Sequence, residues 1–386
     1  MRIGTRLVFT VGAFAAALTA GIPRAAADPV TVAAESLALR AGKEVSLGSN
    51  VSVDAAIAAG TSVSAGQGAT LGDIYAGTNV WLDRYATVRG TVLANGSANA
   101  DQGLDLIGSW TGKSVYFARD AKVVGNVTGG AGNVSIDRNA SITGNIVSNR
   151  SVWIDRDSTI DGDARAGLTG SLGTGHNVSI SGSRDRGSFG YDSFSLPSMG
   201  DQPQAGNVGS QSVWAGRNSS TSLDPGEYRN LGFDRGATVN LSAGQYTLKE
   251  FWIDRDGVVN VDTTGGDVVL NVTGTFGTGR DTVFNKTGDG KLIINVFDSN
   301  VWLGQGNQIE AAISVWGGSF GADQGTKLTG NVAATGDIWF GNGSQIIFSA
   351  FGQGAEVPEP TALAIVVMGG VLTVMRRRHH GWSNAS

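Results

Sequence analysis

The chain contains no cysteine, so disulfides, catalytic thiols and thiolate metal sites play no part in its design. Histidine is almost as scarce. The three are His176, His379 and His380, the last two close to the C-terminus, which leaves at most one candidate for a histidine-based triad or metal centre. His176 stands in a glycine-rich turn and reads as a surface residue. Only 16% of the residues are charged, and 7 prolines stand against 59 glycines. With Val, Ile, Thr, Ser and Asn abundant, this composition favours closely spaced strands and turns over helices.

What is present is repetition. Between Asn133 and Gly162 the chain writes one unit twice, Val134-Ser135-Ile136-Asp137-Arg138 and then Val152-Trp153-Ile154-Asp155-Arg156, with Gly144 and Gly162 at the same spacing. Val80-Trp81-Leu82-Asp83-Arg84 with Gly90, and Val115-Tyr116-Phe117-Ala118-Arg119 with Gly125, extend the series upstream. In all four the Arg precedes the Gly by the same distance. Apolar residues recur at alternate positions, the period of a strand. A unit this small buries its apolar edge only by stacking on its neighbours, so the expected fold is all-β, a parallel β-helix or solenoid with short irregular coils. A β-sandwich pair is the alternative.

Taken in order, residues 28–180 form a first solenoid part, with Thr31 to Ala41 expected to cap an open end and irregular coils from Val45 to Leu71. Residues 181–211 lack alternation and read as a loop or linker. Residues 212–356 return to the repeat in variant form, with Phe233-Asp234-Arg235 echoed by Ile253-Asp254-Arg255. At about 18 residues per coil the body would hold roughly 18 coils, with strands stacked ~4.8 Å apart.

The two ends carry different signals. Residues 1–27 have a basic start (Arg2, Arg6), an apolar core and small residues, Ala25 and Ala27, before an expected cut at Asp28, as in an export signal peptide. At the other end Val357-Pro358-Glu359-Pro360 precedes the apolar run 361–375 and then Arg376, Arg377 and Arg378. This order resembles the PEP-CTERM sorting signal, over about the last 30 residues. The resemblance implies a Gram-negative exported protein, cut near Pro358-Glu359-Pro360 by an exosortase-type membrane protease, with transient inner-membrane contact through the hydrophobic sorting helix and delivery to the cell surface or extracellular matrix. A plain single-pass anchor is the alternative. Without Arg2, Arg6, Arg24 and Arg376 to Arg378, 22 basic residues face more than 30 acidic ones. A body of that sign does not bind nucleic acid by neutralising phosphates.

The Asp-Arg pairs at 83/84, 137/138, 155/156, 234/235 and 254/255 supply carboxylates one coil apart, which glycosidases and calcium sites also use. Their repetition points instead to a turn, since a reaction needs its groups once. Gly277 to Val283 matches most of a calcium-binding nonapeptide, but it occurs once and has Phe276 where the leading Gly belongs. The many Asn-x-Ser/Thr triplets read as strand-start chemistry of the repeat. No catalytic residue, metal or cofactor is assigned.

The aromatic set is the sequence's candidate site. Trp81, Tyr116, Trp153, Trp252, Trp302 and Trp339 each sit between two apolar residues, so alternation aims their rings outward along one face. Three roles stand open for that stripe: stacking on polysaccharide rings, side-by-side association of rods, or burial beneath the 181–211 loop. The function expected is non-enzymatic, structural or adhesive, with exopolysaccharide or self-association as partners. The alternatives are a β-helix polysaccharide lyase or hydrolase, and a self-assembling surface scaffold of the bactofilin kind, which the short repeats faintly resemble.

Overall fold

The computed structural model describes residues 30–349. The export segment, with Ala25 and Ala27, and the sorting segment from Val357 to Arg378 lie outside the described residues. Among those described, a 3-10 turn at Ala34–Ser36 is the only helix, and every strand pairing is parallel. The fold is an all-β parallel solenoid, in which fifteen strands of one sheet, one per coil, stack in register.

Each coil is made by the same local chemistry. A triplet such as Val152–Ile154 buries its outer residues and exposes its middle one, a tight turn follows, and two further short strands close the coil. In the fifteen-stranded sheet register holds from coil to coil: Val134 pairs with Val152 and Ile136 with Ile154. Inward residues from successive coils form one continuous core. Within it Phe251 stacks on Phe276 at 4.9 Å and Phe320 meets Phe340 at 5.3 Å. At the second corner the backbones come so close that only glycine fits. A Cβ on Gly125 (φ +151°) would stand 1.9 Å from the Gly108 carbonyl oxygen, and one on Gly144 (φ +144°) 2.2 Å from that of Gly125. This is why Gly recurs at a fixed distance after the Arg.

The order of coils in the stack is not the order of the chain. Numbered along the stack, coil 1 begins at Val213–Ala215, and the chain climbs through coil 6, which contains Phe320–Ala322 and Lys327–Ala334. Coil 7 is completed by both ends: Ile338–Phe340 and Gln345–Phe348 come from the C-terminal side and Leu37–Ala41 from the N-terminal side. Coil 8 starts at Val45–Leu47, which pairs with Ile338–Phe340 below it and Val63–Ala65 above. The chain then climbs to coil 15, which holds Leu172–Thr174, Ser179–Ile180 and Arg184–Gly187. Residues 31–41 therefore do not cap an end. They hold an interior strand in the middle of the stack.

The outermost coil is blunted in another way. Arg184 and Arg186 occupy the register of the core-facing Ala164 and Ala166, and charges at inward positions of an edge strand discourage further pairing.

Residues 181–211 are likewise more than a linker. Residues up to Gly187 belong to coil 15, and the rest returns along the outside of the stack to coil 1. Phe189 bonds to Asn149, Phe194 to Asn95, and the Pro197 carbonyl accepts from Arg40 Nε at 2.8 Å. Gly206 lies against Thr247, and Gly209 against the Glu227 carbonyl. From Phe189 at coil 13 to Gly209 at coil 1 is twelve strand spacings, ~57 Å, and twenty residues reach only ~66–72 Å when extended. A nearly straight strap is required, so it carries no repeat. It also explains buried residues at outward positions. Ala58 and Leu93 are covered by Phe194, which forms with them a second small core, and Phe194–Ser195 pairs with Val30–Thr31.

Asn95 and Asn149 hold the strap as substitute strand edges, each giving one bond and accepting one at 2.6–2.7 Å. Either residue changed to Ala loses both bonds and leaves strap groups unpaired, for an expected loss of about 1–3 kcal/mol. Thermal denaturation and protease cutting within 188–211 measure this. Tyr75 packs against Phe194 at 5.4 Å, and burial, with Asp73 adding its charge, pushes the hydroxyl from 10.0 up to about 12. The folded state thus prefers neutral Tyr75. Its contribution is complete below pH 10.0 and fades as pH rises towards about 12. Stability measured across that interval is expected to fall less steeply in Tyr75→Phe.

Candidate functional site: an aromatic and glycine face

The first turn of each coil sets the site. One residue per coil adopts the left-handed conformation, with φ from 55° to 76°: Asn218, Gly236, Asp256, Asp281, Gly306, Gly325, Gly343, Asn50, Gly68, Tyr85, Gly103, Asp120, Asn139, Asp157 and Asn177 in stack order. Gly, Asn and Asp tolerate this region best, and they fill every place but that of Tyr85. The N–H of this residue bonds to the carbonyl one coil on, Asn139 to Arg156 at 3.1 Å and Asp120 to Arg138 at 3.0 Å, and across the chain ends Gly343 to Ser49 at 2.8 Å. Arg138 and Arg156 accordingly lie one above the other.

In three of the five Asp-Arg pairs the Asp braces the same turn. Asp83, Asp137 and Asp254 accept the next residue's backbone N–H at 2.7–2.8 Å. A continuous ion ladder is not formed. Arg235 reaches Asp256 at 2.8 Å, while Arg84 and Arg119 approach acids only at 3.8 and 4.0 Å. The nonapeptide-like stretch is absorbed by this pattern too: Asp281 is a left-handed turn residue, and Gly277 is a strand centre.

Strand centres of the fifteen-stranded sheet, read along the stack, are Trp214, Gly232, Trp252, Gly277, Trp302, Gly321, Trp339, Ser46, Ser64, Trp81, Asn99, Tyr116, Ser135, Trp153 and Gly173. Aromatic and small residues alternate throughout, except at Ser46 and Ser64. The six aromatics expected from the sequence lie in this single row. Trp214 completes it, and all seven are 36–67% exposed. The strap does not cover them, since it runs over a different face.

The glycines make the rings lie down. A Cβ on Gly232 would stand 2.2 Å from a Trp214 ring carbon, one on Gly277 2.4 Å from Trp252, one on Gly173 2.5 Å from Trp153 and one on Gly321 2.6 Å from Trp302. Each of these four indoles therefore lies with ring carbons over the glycine of the next coil and stays 44–67% exposed. Trp302 and Trp339 are parallel to within 12°, with centroids 5.6 Å apart.

A second row runs beside the first. The residue before each left-handed position is Arg in eight coils (217, 235, 255, 280, 84, 119, 138 and 156) and Gln in four (305, 324, 67 and 102). The two rows border a shallow groove lined by Trp252, Trp302, Asp254, Arg255, Gln305 and Asp323 among others. It offers flat apolar rings, guanidinium and amide donors, and carboxylate acceptors. His176 ends this second row at coil 15. Among the described residues no group of three or more His, Asp or Glu is arranged to hold a metal ion.

Three parts of the site were missed in the sequence. Val213-Trp214-Ala215 has the same apolar frame as the other triplets. Leu231-Gly232-Phe233 and Phe276-Gly277-Thr278 share that frame with glycine at the centre, which was the signal for the alternation. The Arg and Gln row was visible only as part of a turn motif.

No protein-family model matches the chain, and no characterised protein matches it by sequence. Among solved structures, an ice binding protein from an Antarctic Flavobacteriaceae bacterium is similar over 84% of this chain and 98% of that one, at 12% identity and a TM-score of 0.23. At that score the likeness carries no argument about function.

Gly277→Ala would place a methyl where the Trp252 ring now rests, for an expected cost of about 1–3 kcal/mol. The ring should lift. Acrylamide quenching of the signal specific to Trp252, obtained by difference from Trp252→Phe, is expected to increase.

Proposed function

We propose that the protein is a non-enzymatic, exported structural and adhesive protein of a Gram-negative cell surface or extracellular matrix, and that its aromatic face holds polysaccharide. The observation that carries the reading is the alternation of flat, half-exposed rings with glycine, serine or asparagine along one face. A pyranose ring presents an apolar C–H face of matching size, and an indole stacks on it with an N–H edge left for a hydroxyl. The neighbouring Arg, Gln and Asp residues supply further partners for hydroxyls. Each ring contributes weakly. Seven in one row bind through combined contacts, so no deep pocket is needed.

Export and sorting rest on the sequence signals: the segment up to Ala27, and Pro358-Glu359-Pro360 with its apolar run and Arg376 to Arg378. An exosortase-type protease is the processing partner in this reading. Two rival functions are less well supported. A lyase or hydrolase needs a cluster of acids and bases found once, whereas Asp83, Asp137 and Asp254 repeat and are engaged in turns. A scaffold growing end to end has to place Arg184 and Arg186 over the core of another copy, and rods packed side by side bring net negative bodies together.

The full chain is expected to be retained on polysaccharide prepared from the producer's matrix. Trp252→Ala with Trp302→Ala is expected to cut retention at least tenfold while the melting temperature stays near that of the parent. Equal retention would remove the face as the adhesive surface. In producing cells, replacing Pro358-Glu359-Pro360 by alanines is expected to leave the C-terminal segment attached, as read by intact mass.

A further inference from the structure

Resting on the adhesive reading, we infer that the aromatic face has one primary saccharide subsite, the groove of coils 3 to 6 between Trp252 and Trp302, and that it seats a short neutral stretch of polysaccharide. The rings of the face are unevenly placed. Trp339 stacks on Trp302, with centroids 5.6 Å apart and planes within 12°, whereas Trp252 has no aromatic ring against it among the described residues. The face opens between Trp252 and Trp302, which both line the groove, and Trp339 steadies one wall from outside.

The turn beside these rings supplies the floor. The residue directly after the strand triplet is Asp234, Asp254 and Asp323 in coils 2, 3 and 6, but Gly279 and Gly304 in coils 4 and 5. Two successive side chains are missing where the rings part. The resulting groove has a volume of about 460 Å³, inside the ~300–1,000 Å³ range of small-ligand sites. A second run of glycines, Gly341, Gly48 and Gly66 in coils 7 to 9, lies beside Trp339, Ser46 and Ser64. There Asn342, Ser49 and Gln67 stand in the donor row, so that run has neither a second ring nor a guanidinium. Ring, floor and donor come together in coils 3 to 6.

The polar groups select the ligand class. Arg235 holds Asp256 at 2.8 Å. Arg255 and Arg280, which line the groove, pair with no carboxylate within 4.0 Å among the described residues, and with Gln305 they can donate to a ligand. Asp254 and Asp323 each accept one backbone N–H through Oδ1 at 2.7 Å, which leaves Oδ2 as an acceptor. The hydroxyls of a neutral sugar use both sets at once, while an indole takes its C–H face. An acidic sugar uses the donors alone. The two lining arginines are balanced by the two lining aspartates, and Asp256 and Asp281 follow those arginines in the turns, so an anion gains little net attraction.

Retention on polysaccharide prepared from the producer's matrix, measured for single variants of the full chain, separates this subsite from the row as a whole. Trp252→Ala, Trp302→Ala and Arg280→Ala are each expected to cut retention at least fivefold. Trp81→Ala, Trp153→Ala and Arg138→Ala alter the same positions of coils outside the groove, and each is expected to change retention less than twofold, with melting temperatures checking the fold of all six. Saturation-transfer NMR with the methyl glycosides of glucose, galactose, mannose and N-acetylglucosamine, and with glucuronate, reads the class. At least one neutral glycoside is expected to show transfer that Arg280→Ala abolishes, and glucuronate none. Equal losses in all six variants would overturn the subsite and leave the adhesive reading standing. Transfer to glucuronate, or to none of the probes, would overturn the neutral class, and retention indifferent to every variant would remove both subsite and adhesive face.

Discussion

Every feature of the stack depends on the hydrogen bonds between one coil and the next, and the hardest place to keep them is the turn after the first strand. A chain that must change direction within a few residues usually breaks its ladder. Here one residue per coil takes a left-handed conformation, and its N–H still reaches the coil beyond, as Asn139 does to Arg156. Because this bond is made at every level, including the level where Gly343 meets Ser49, each sequence position is fixed above its equivalent. Rows of like residues then arise without further specification, and a preference written into one coil becomes a property of a whole face.

The same constraint explains the path of the chain. A solenoid that begins at one end leaves its termini at opposite ends. Among the described residues the path enters the stack in the middle, runs to coil 15, returns through an extended strap and closes coil 7 against the strand at Leu37–Ala41. The strap connects coils far apart in the stack, and Asn95 and Asn149 tie it to the flank with paired bonds. Nearest-neighbour stacking usually lets repeat proteins open from their ends. Here both outermost coils are connected through the strap, and Leu37–Ala41, near the first of the described residues, lies inside the stack bonded on both sides.

How much of this was legible follows from what a sequence encodes locally. Val134-Ser135-Ile136-Asp137-Arg138 and its copy one coil on announced strands, a turn and a fixed spacing, because inward residues and left-handed turn residues are chosen coil by coil. The outward aim of Trp81, Trp153, Trp252, Trp302 and Trp339 was legible for the same reason. The reversal of the chain was not, because pairing of Leu37–Ala41 with residues near 332 leaves no mark in either segment. The strap from Ser188 to Gln211 looked like a linker because a straight segment bound through its backbone needs few particular side chains. The number of coils was overestimated because the strap was counted as repeat and because later coils are longer than 18 residues, 25 from Phe251 to Phe276 and again from Phe276 to Val301.

The glycines of the aromatic row bear on whether that row is only structural. Glycine inside a strand costs about 0.5–1 kcal/mol against alanine and offers nothing to pack. Four of them sit in one row, each under or beside an indole. Covering the strand does not require this arrangement, since threonine or valine at every level would shield the backbone, favour the strand and leave no large apolar surface in water. The observed choice weakens the strand at alternate levels and leaves 44–67% of Trp214, Trp252, Trp302 and Trp153 exposed. What it gains is a row of half-exposed rings beside a row of donors. Stability of the strand alone does not account for that exchange.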